Sequence, residues 1–158
     1  MTREKIREFT LRVSGANKTE MIVILYDIAL TYAEDALKVR ETGDRKAFRT
    51  EIGRIRNTVR ELMDSVNTSA DMGMNLLKLY IFCNEELTRA FLDCDAEPVC
   101  HVVSILTKLR EAYEEVSRRD DSGPIMENTE KVYSGLTYNR NSMSEDVSGR
   151  DYNRGYLA

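Results

Sequence analysis

The sequence predicts an all-α protein: an antiparallel up-down four-helix bundle with a short N-terminal arm and an extra C-terminal short helix or extended tail. Three observations carry this. First, Met21-Ile22-Val23-Ile24-Leu25 sets aliphatic side chains in succession, then Tyr26 and Asp27, and the apolar spacing continues through Ala29, Tyr32, Ala36 and Val39. A strand of that length is improbable. On a helix, a continuous run points almost all round the axis, so protein must cover this helix on more than one side. Second, Phe48, Ile52, Ile55, Val59, Leu62 and Val66 recur at steps of 4, 3, 4, 3 and 4, a coiled-coil-like seam. Third, four segments of this kind are joined by short links, which makes successive helices antiparallel neighbours.

Taken in order, residues 1–16 form a charged arm with Ile6, Phe9, Leu11 and Val13 as its apolar points, either a frayed helix or a segment lying along the domain. Residues 17–121 form the bundle, with helices at about 17–42, 44–66, 70–93 and 96–119. Asn17 and Glu20 match a capping box, and Gly43 stops the first long helix. Asp44 caps the second, whose outer face carries Arg45, Arg49, Arg56 and Arg60. That face reads first as ordinary solvated charge, and otherwise as a site for an acidic partner. Asn67-Thr68-Ser69 offers caps for the third helix, whose expected stripe is Met72, Leu76, Leu79/Tyr80, Cys83, Leu87 and Ala90, widened by Leu77, Ile81 and Phe91. Asp95 is the expected cap of the fourth, with Glu97 and Pro98 in its first turn, where proline loses no hydrogen bond. Val99, Val102/Val103, Leu106, Leu109, Tyr113 and Val116 then line its inner side.

Composition changes at Asp120-Asp121-Ser122-Gly123-Pro124. Residues 122–158 form a tail rich in Asn, Ser, Gly and Tyr. Ile125, Met126, Thr129, Val132 and Tyr133 suit one short amphipathic helix. The similar fragments at Tyr138 and Tyr152 combine a disorder-prone composition with aromatic points able to dock on the bundle.

The chain of 158 residues carries 23 basic and 27 acidic side chains, net −4, which argues against a general nucleic-acid binder. No stretch has the length and apolarity for membrane insertion, and the charged start lacks the apolar core of a signal peptide; both favour a cytoplasmic protein. Cys83, Cys94 and Cys100 read as reduced thiols. Catalysis, cofactor and metal find no support. A di-iron bundle needs two Glu-x-x-His pairs, whereas His101 is the single histidine and Pro98 stands three residues before it. Cys94, Cys100 and His101 have irregular spacing for zinc, and no phosphate-cradling glycine loop is present. The protein is expected not to be an enzyme. What remains is spare apolar surface: Ile22, Tyr26, Leu77, Ile81 and Phe91 fit either a wide core or a groove for a partner's amphipathic helix.

Val13-Ser14-Gly15-Ala16-Asn17-Lys18-Thr19-Glu20, running into Met21–Asp27, resembles the opening of the flagellin export chaperones, the FliS family. Asn75-Leu76-Leu77-Lys78-Leu79-Tyr80-Ile81-Phe82 is similar to the family's Asn-Leu-x-x-Leu-Tyr segment, and Leu109-Arg110-Glu111-Ala112-Tyr113 to its last-helix signature. The resemblance spans roughly residues 9–119. It departs at Asn17-Lys18, where the family has Ser-Pro, and at Ile28, where the family has Gly after Leu-Tyr-Asp. It implies a cytosolic chaperone that binds the C-terminal helical segment of new flagellin, prevents premature polymerisation and delivers the subunit to the flagellar type III export gate, acting as a monomer or weak dimer. The groove it implies joins the first and third bundle helices through Ile22, Tyr26, Leu76, Tyr80 and Ile81, with Asp27 and Asn75 as polar register points. The rival readings are a homodimeric structural bundle and a regulatory adaptor for another flagellar protein working through the arginine face.

Overall fold

A computed structural model describes residues 1–69 and 71–126, and everything expected of Ala70 and of the tail beyond residue 126 lies outside the described residues. Five helices form there: α1 (Arg3–Gly15), α2 (Lys18–Glu41), α3 (Arg45–Asp64), α4 (Asp71–Asp93) and α5 (Glu97–Ser117). The helix boundaries follow local chemistry. Asn17 and Glu20 form the complete capping box, the Asn17 side chain accepting from the Glu20 backbone N–H and the Glu20 carboxylate accepting from that of Asn17. Gly43 has the positive φ of +78° that ends a helix cheaply, and Asp44 caps α3 by accepting from the Ala47 N–H. At α5 the cap sits one residue later than expected. Ala96 holds the N-cap position without a side-chain bond, and Asp95 accepts from the Glu97 N–H instead.

Helices α2, α3, α4 and α5 form a closed four-sided ring in which each packs on its two sequence or ring neighbours, while α1 packs on α2 alone. Arg49 and Arg56 of α3 reach α4 at Phe91 and Asn84 respectively, which places those two helices antiparallel. The seam of α3 is the most completely buried stripe: Phe48, Ile52, Ile55, Val59 and Leu62 expose nothing. They meet Ala29, Ala33 and Ala36 of α2, Cys83, Leu87 and Ala90 of α4, and Val99, Val102 and Leu106 of α5.

The aliphatic run of α2 is covered from two sides. Ile22, Leu25 and Tyr26 belong to the main core, whereas Met21, Ile24 and Ile28 pack into a second small cluster with Phe9, Val13 and Ala16 from the α1 side. The arm is therefore a helix, laid antiparallel along α2: the chain's amino group pairs with Asp35, Lys5 with Glu34, and Arg12 with Asp27. Ile28, the departure from the family pattern, fills the floor beneath α1. Residues after α5 return to the same corner, where the Asn17 amide donates to the Asp120 carbonyl, the Thr19 hydroxyl to the Asp120 carboxylate and the Ile125 N–H to the Ala16 carbonyl.

Met72 and Val116, expected on inner stripes, are 82 % and 55 % exposed, and of the alternatives Leu79 and Tyr80 it is Tyr80 that is buried, Leu79 being 41 % exposed. Helix α4 is apolar on nearly every side, so its hydrophobic pattern alone does not say which face turns inward; the ring does, selecting Tyr80, Cys83, Leu87 and Ala90.

Candidate functional site

The residues expected to line one groove are divided by the fold. Helices α2 and α4 stand opposite each other across the ring and make no lateral contact, so their outer surfaces open on different sides. Tyr26 and Tyr80 meet in the middle: they are 0 % and 1 % exposed, and their hydroxyls are hydrogen-bonded to each other. The Tyr26 ring lies 6.4 Å from that of Tyr80 and 5.6 Å from that of Tyr113, tilted against both. Burial raises all three phenols above their ordinary value, Tyr26 and Tyr80 well above it, so they stay neutral at neutral pH. Tyr26 and Tyr80 thus form a buried pair that links α2 and α4 through the core. Ile22 and Leu76 are half-buried at the edge of the core.

Asp27 is a junction of three helices. Its carboxylate accepts from the Arg12 guanidinium of α1 at 2.7 Å and from Arg110 Nε of α5 at 2.8 Å. The Arg110 guanidinium also pairs with Glu114, and the two carboxylates raise its hold on its proton, the Asp27 hydrogen bond first. A charged residue that the sequence suggested as a polar register point is here spent on seating α1 and α5 against α2.

Asn75 and Ile81 face outward on α4. Met72, Met74, Leu79, Phe82 and Leu92 of the same helix are also exposed. Most of the large apolar side chains that the described fold leaves in water lie on this one element. Ile81 is legible in the sequence as a spare apolar position, whereas Phe82 has no such signal, Met72 reads as core and Leu79 shares one core position with Tyr80. The missing signal was which way α4 turns.

The arginine face of α3 has internal work. Arg49 donates to the carbonyls of Phe91 and Leu92 and stacks over the Phe91 ring at 5.4 Å, and Arg56 donates to Asn84 Oδ1. Arg40 of α2 donates to the carbonyl of Cys94, which turns the chain with a positive φ of 54°. Arg49 and Arg40 thus satisfy carbonyls at the C-terminal end of α4, where the helix dipole is negative, while Arg56 holds a side chain in its middle.

His101 has a partner that the sequence did not indicate. Its Nδ1 lies 2.9 Å from Glu86, a carboxylate only 3 % exposed that also pairs with Arg89. Cys83, nearby, is pushed up to about 11 by burial and then by Glu86, which makes it an inert thiol at neutral pH. Among the described residues no group of His, Cys, Asp and Glu is placed to hold a metal, and no helix is long and apolar enough to cross a membrane.

Among the described residues, the outer face of α4 is the surface with the chemistry to take up an apolar partner segment. The family model described as flagellar protein FliS matches residues 4–120, from the start of α1 to the end of the ring. The chain belongs to the FliS family. With that membership goes the family's general role as a flagellar export chaperone. No curated protein matches the chain.

Proposed function

We propose that this chain acts in the cytoplasm as a flagellin export chaperone, holding the C-terminal helical segment of newly made flagellin, preventing its premature polymerisation and handing it to the flagellar type III export apparatus. The observation that carries this reading, beside the family, is the apolar outer face of α4. A client segment that polymerises through amphipathic helices needs an apolar surface to occupy until it is exported, and Met74, Ile81 and Phe82 offer one at 43 %, 42 % and 45 % exposure. Asn75 lies at the edge of that face as a polar contact. Leu76 supports the reading as a half-buried neighbour on the same helix and Tyr26 and Tyr80 as the fixed core behind it, while Ile22 and Asp27, on α2 across the ring, would contribute through the α2 surface if the client reaches round to it. A client that orders itself on a preformed surface gives up part of its binding energy to that ordering, which keeps it releasable.

The test is binding of a peptide covering the C-terminal region of the host's flagellin, followed by calorimetry and light-scattering mass. The full chain should form a 1:1 complex. Ile81→Asp and Phe82→Asp, at exposed positions, should each weaken binding by about tenfold or more, the loss expected when an apolar contact of roughly 1.5–3 kcal/mol is replaced by a charge. Unchanged binding in both folded variants would move the client surface off α4.

A further inference from the structure

One flank of α3 is a row of cations. Arg45, Arg49, Gly53, Arg56 and Arg60 recur at steps of 4, 4, 3 and 4, beside the buried seam and on the side of α4. Among the described residues none of these four arginines pairs with a carboxylate. Glu51 belongs to the other flank, with Arg54, whose guanidinium lies over the Tyr32 ring of α2. Two of the arginines are already held in place. Arg49 donates to α4 through Nε and Nη2 and Arg56 through Nε, so Arg49 Nη1 and both terminal nitrogens of Arg56 have no partner among the described residues. A guanidinium fixed along one edge loses little freedom when its remaining donors take a carboxylate. Across the groove, Ile81 lies one turn before Asn84 on α4, and both Ile81 and Leu92 are exposed. Gly53 occupies the middle of the row. Glycine weakens a helix interior, and the fold does not require it here, since a Cβ at this position would meet no atom within 4 Å. What a missing side chain provides is room for another main chain to come close.

We infer that the groove between α3 and α4 holds an acidic amphipathic helix of a partner protein. Its carboxylates pair with Arg45, Arg49, Arg56 and Arg60, its apolar edge covers Ile81 and Leu92, and its main chain packs closest to α3 at Gly53. The arginines are separated by 4, 7 and 4 residues, a spacing that reads the same in both directions. The partner therefore needs Asp or Glu at those steps along one edge of its apolar face, and the charges then match in either orientation. The aliphatic wall on α4 favours a protein helix over a nucleic-acid strand, which would be held by stacking. The inference stands on the charged flank and on Gly53, and does not depend on the identity of the client.

The experiment is fluorescence anisotropy of the full chain with a labelled helical peptide of Leu, Ala and Glu, its glutamates placed at steps of 4, 7 and 4 along one edge of the leucine face. A second peptide carries Lys in place of each Glu, and a single-stranded RNA oligonucleotide is the third probe. The Glu peptide should bind about tenfold or more tightly than the Lys peptide, and added salt should weaken it. Arg45→Glu and Arg60→Glu should each weaken it by about tenfold, with circular dichroism unchanged. Gly53→Gln separates contact from support: it should weaken the Glu peptide to the same degree while the thermal midpoint stays level or rises, because glutamine is the better helix former. Equal or absent binding of the two peptides overturns the inference. So does RNA bound more tightly than the Glu peptide, unchanged binding in either arginine reversal or in Gly53→Gln, or a lower midpoint in Gly53→Gln, which would assign the glycine to the fold.

Discussion

Tyr26 and Tyr80 bury two hydroxyl groups whose recorded hydrogen bond is the one they make with each other. Removing one hydroxyl strands the other in the core, which costs about 1–3 kcal/mol, whereas removing both leaves no orphan. Tyr26→Phe and Tyr80→Phe should therefore each destabilise the bundle, and the double variant should cost clearly less than the sum of the two. Urea unfolding of the four proteins gives the coupling energy directly, and strict additivity would mean that the hydroxyls do not depend on one another. The phenylalanine variants also separate support from contact: alanine at either position would empty a core site and cost about 3–5 kcal/mol, confounding any binding measurement. The tyrosines were legible in the sequence as apolar points with a polar tip. Their pairing was not, because helical periodicity gives the face of a residue and not the helix it looks at.

At the scale of elements, α1 depends on one neighbour, and its attachment combines a small apolar cluster with three ion pairs. Asp27 is the strongest of these links because it accepts from two arginines while largely shielded from water. Asp27→Ala should cost about 1.5–3 kcal/mol, the range for hydrogen bonds to a charged group, and should loosen α1 more than the ring. Amide exchange read by mass spectrometry should show faster exchange in residues 3–15 with the α3 amides little changed; uniform acceleration would mean that Asp27 stabilises only the whole. Caps and the α3 seam could be read from sequence because each is fixed by residues within a few positions: Asn17 with Glu20, Asp44 with Ala47, Phe48 through Leu62. The inward face of α4 could not. Met72, Met74, Leu79, Ile81 and Phe82 make it apolar all round, and only packing against α3 and α5 decides which side stays in water. The arginines of α3 likewise read as solvent-facing charge, although Arg49 and Arg56 turn sideways to satisfy α4.

For the molecule as a whole, burial sets the response to alkali. Tyr26, Tyr80 and Tyr113 have raised pKa values from an ordinary 10.0, and Cys83 rises from 9.0 to about 11. A raised acid keeps its proton in the fold but loses it in the unfolded chain. The stability these groups contribute is complete below about pH 8 and declines as pH climbs through the unfolded values, first that of Cys83 and then those of the tyrosines, by up to about 1.4 kcal/mol per group and pH unit. Thermal unfolding followed from pH 8 to pH 11.5 should show a midpoint that is flat at first and then falls, with a shallower fall in Tyr26→Phe. Phenolate absorbance from the two buried rings, Tyr26 and Tyr80, should appear together with loss of helicity. Ionisation of those rings near pH 10 in a chain that is still folded would show that water reaches the core.

The tyrosine bridge has a mechanical consequence as well. A frame of four rods joined only along its sides can lean into a rhombus without stretching any side, and a ring of four helices packed only on adjacent neighbours has the same soft mode. A tie across one diagonal removes it. In this bundle one such tie is two phenols long, a directional link across the α2–α4 diagonal, set in a core whose packed side chains fill the rest of the cross-section.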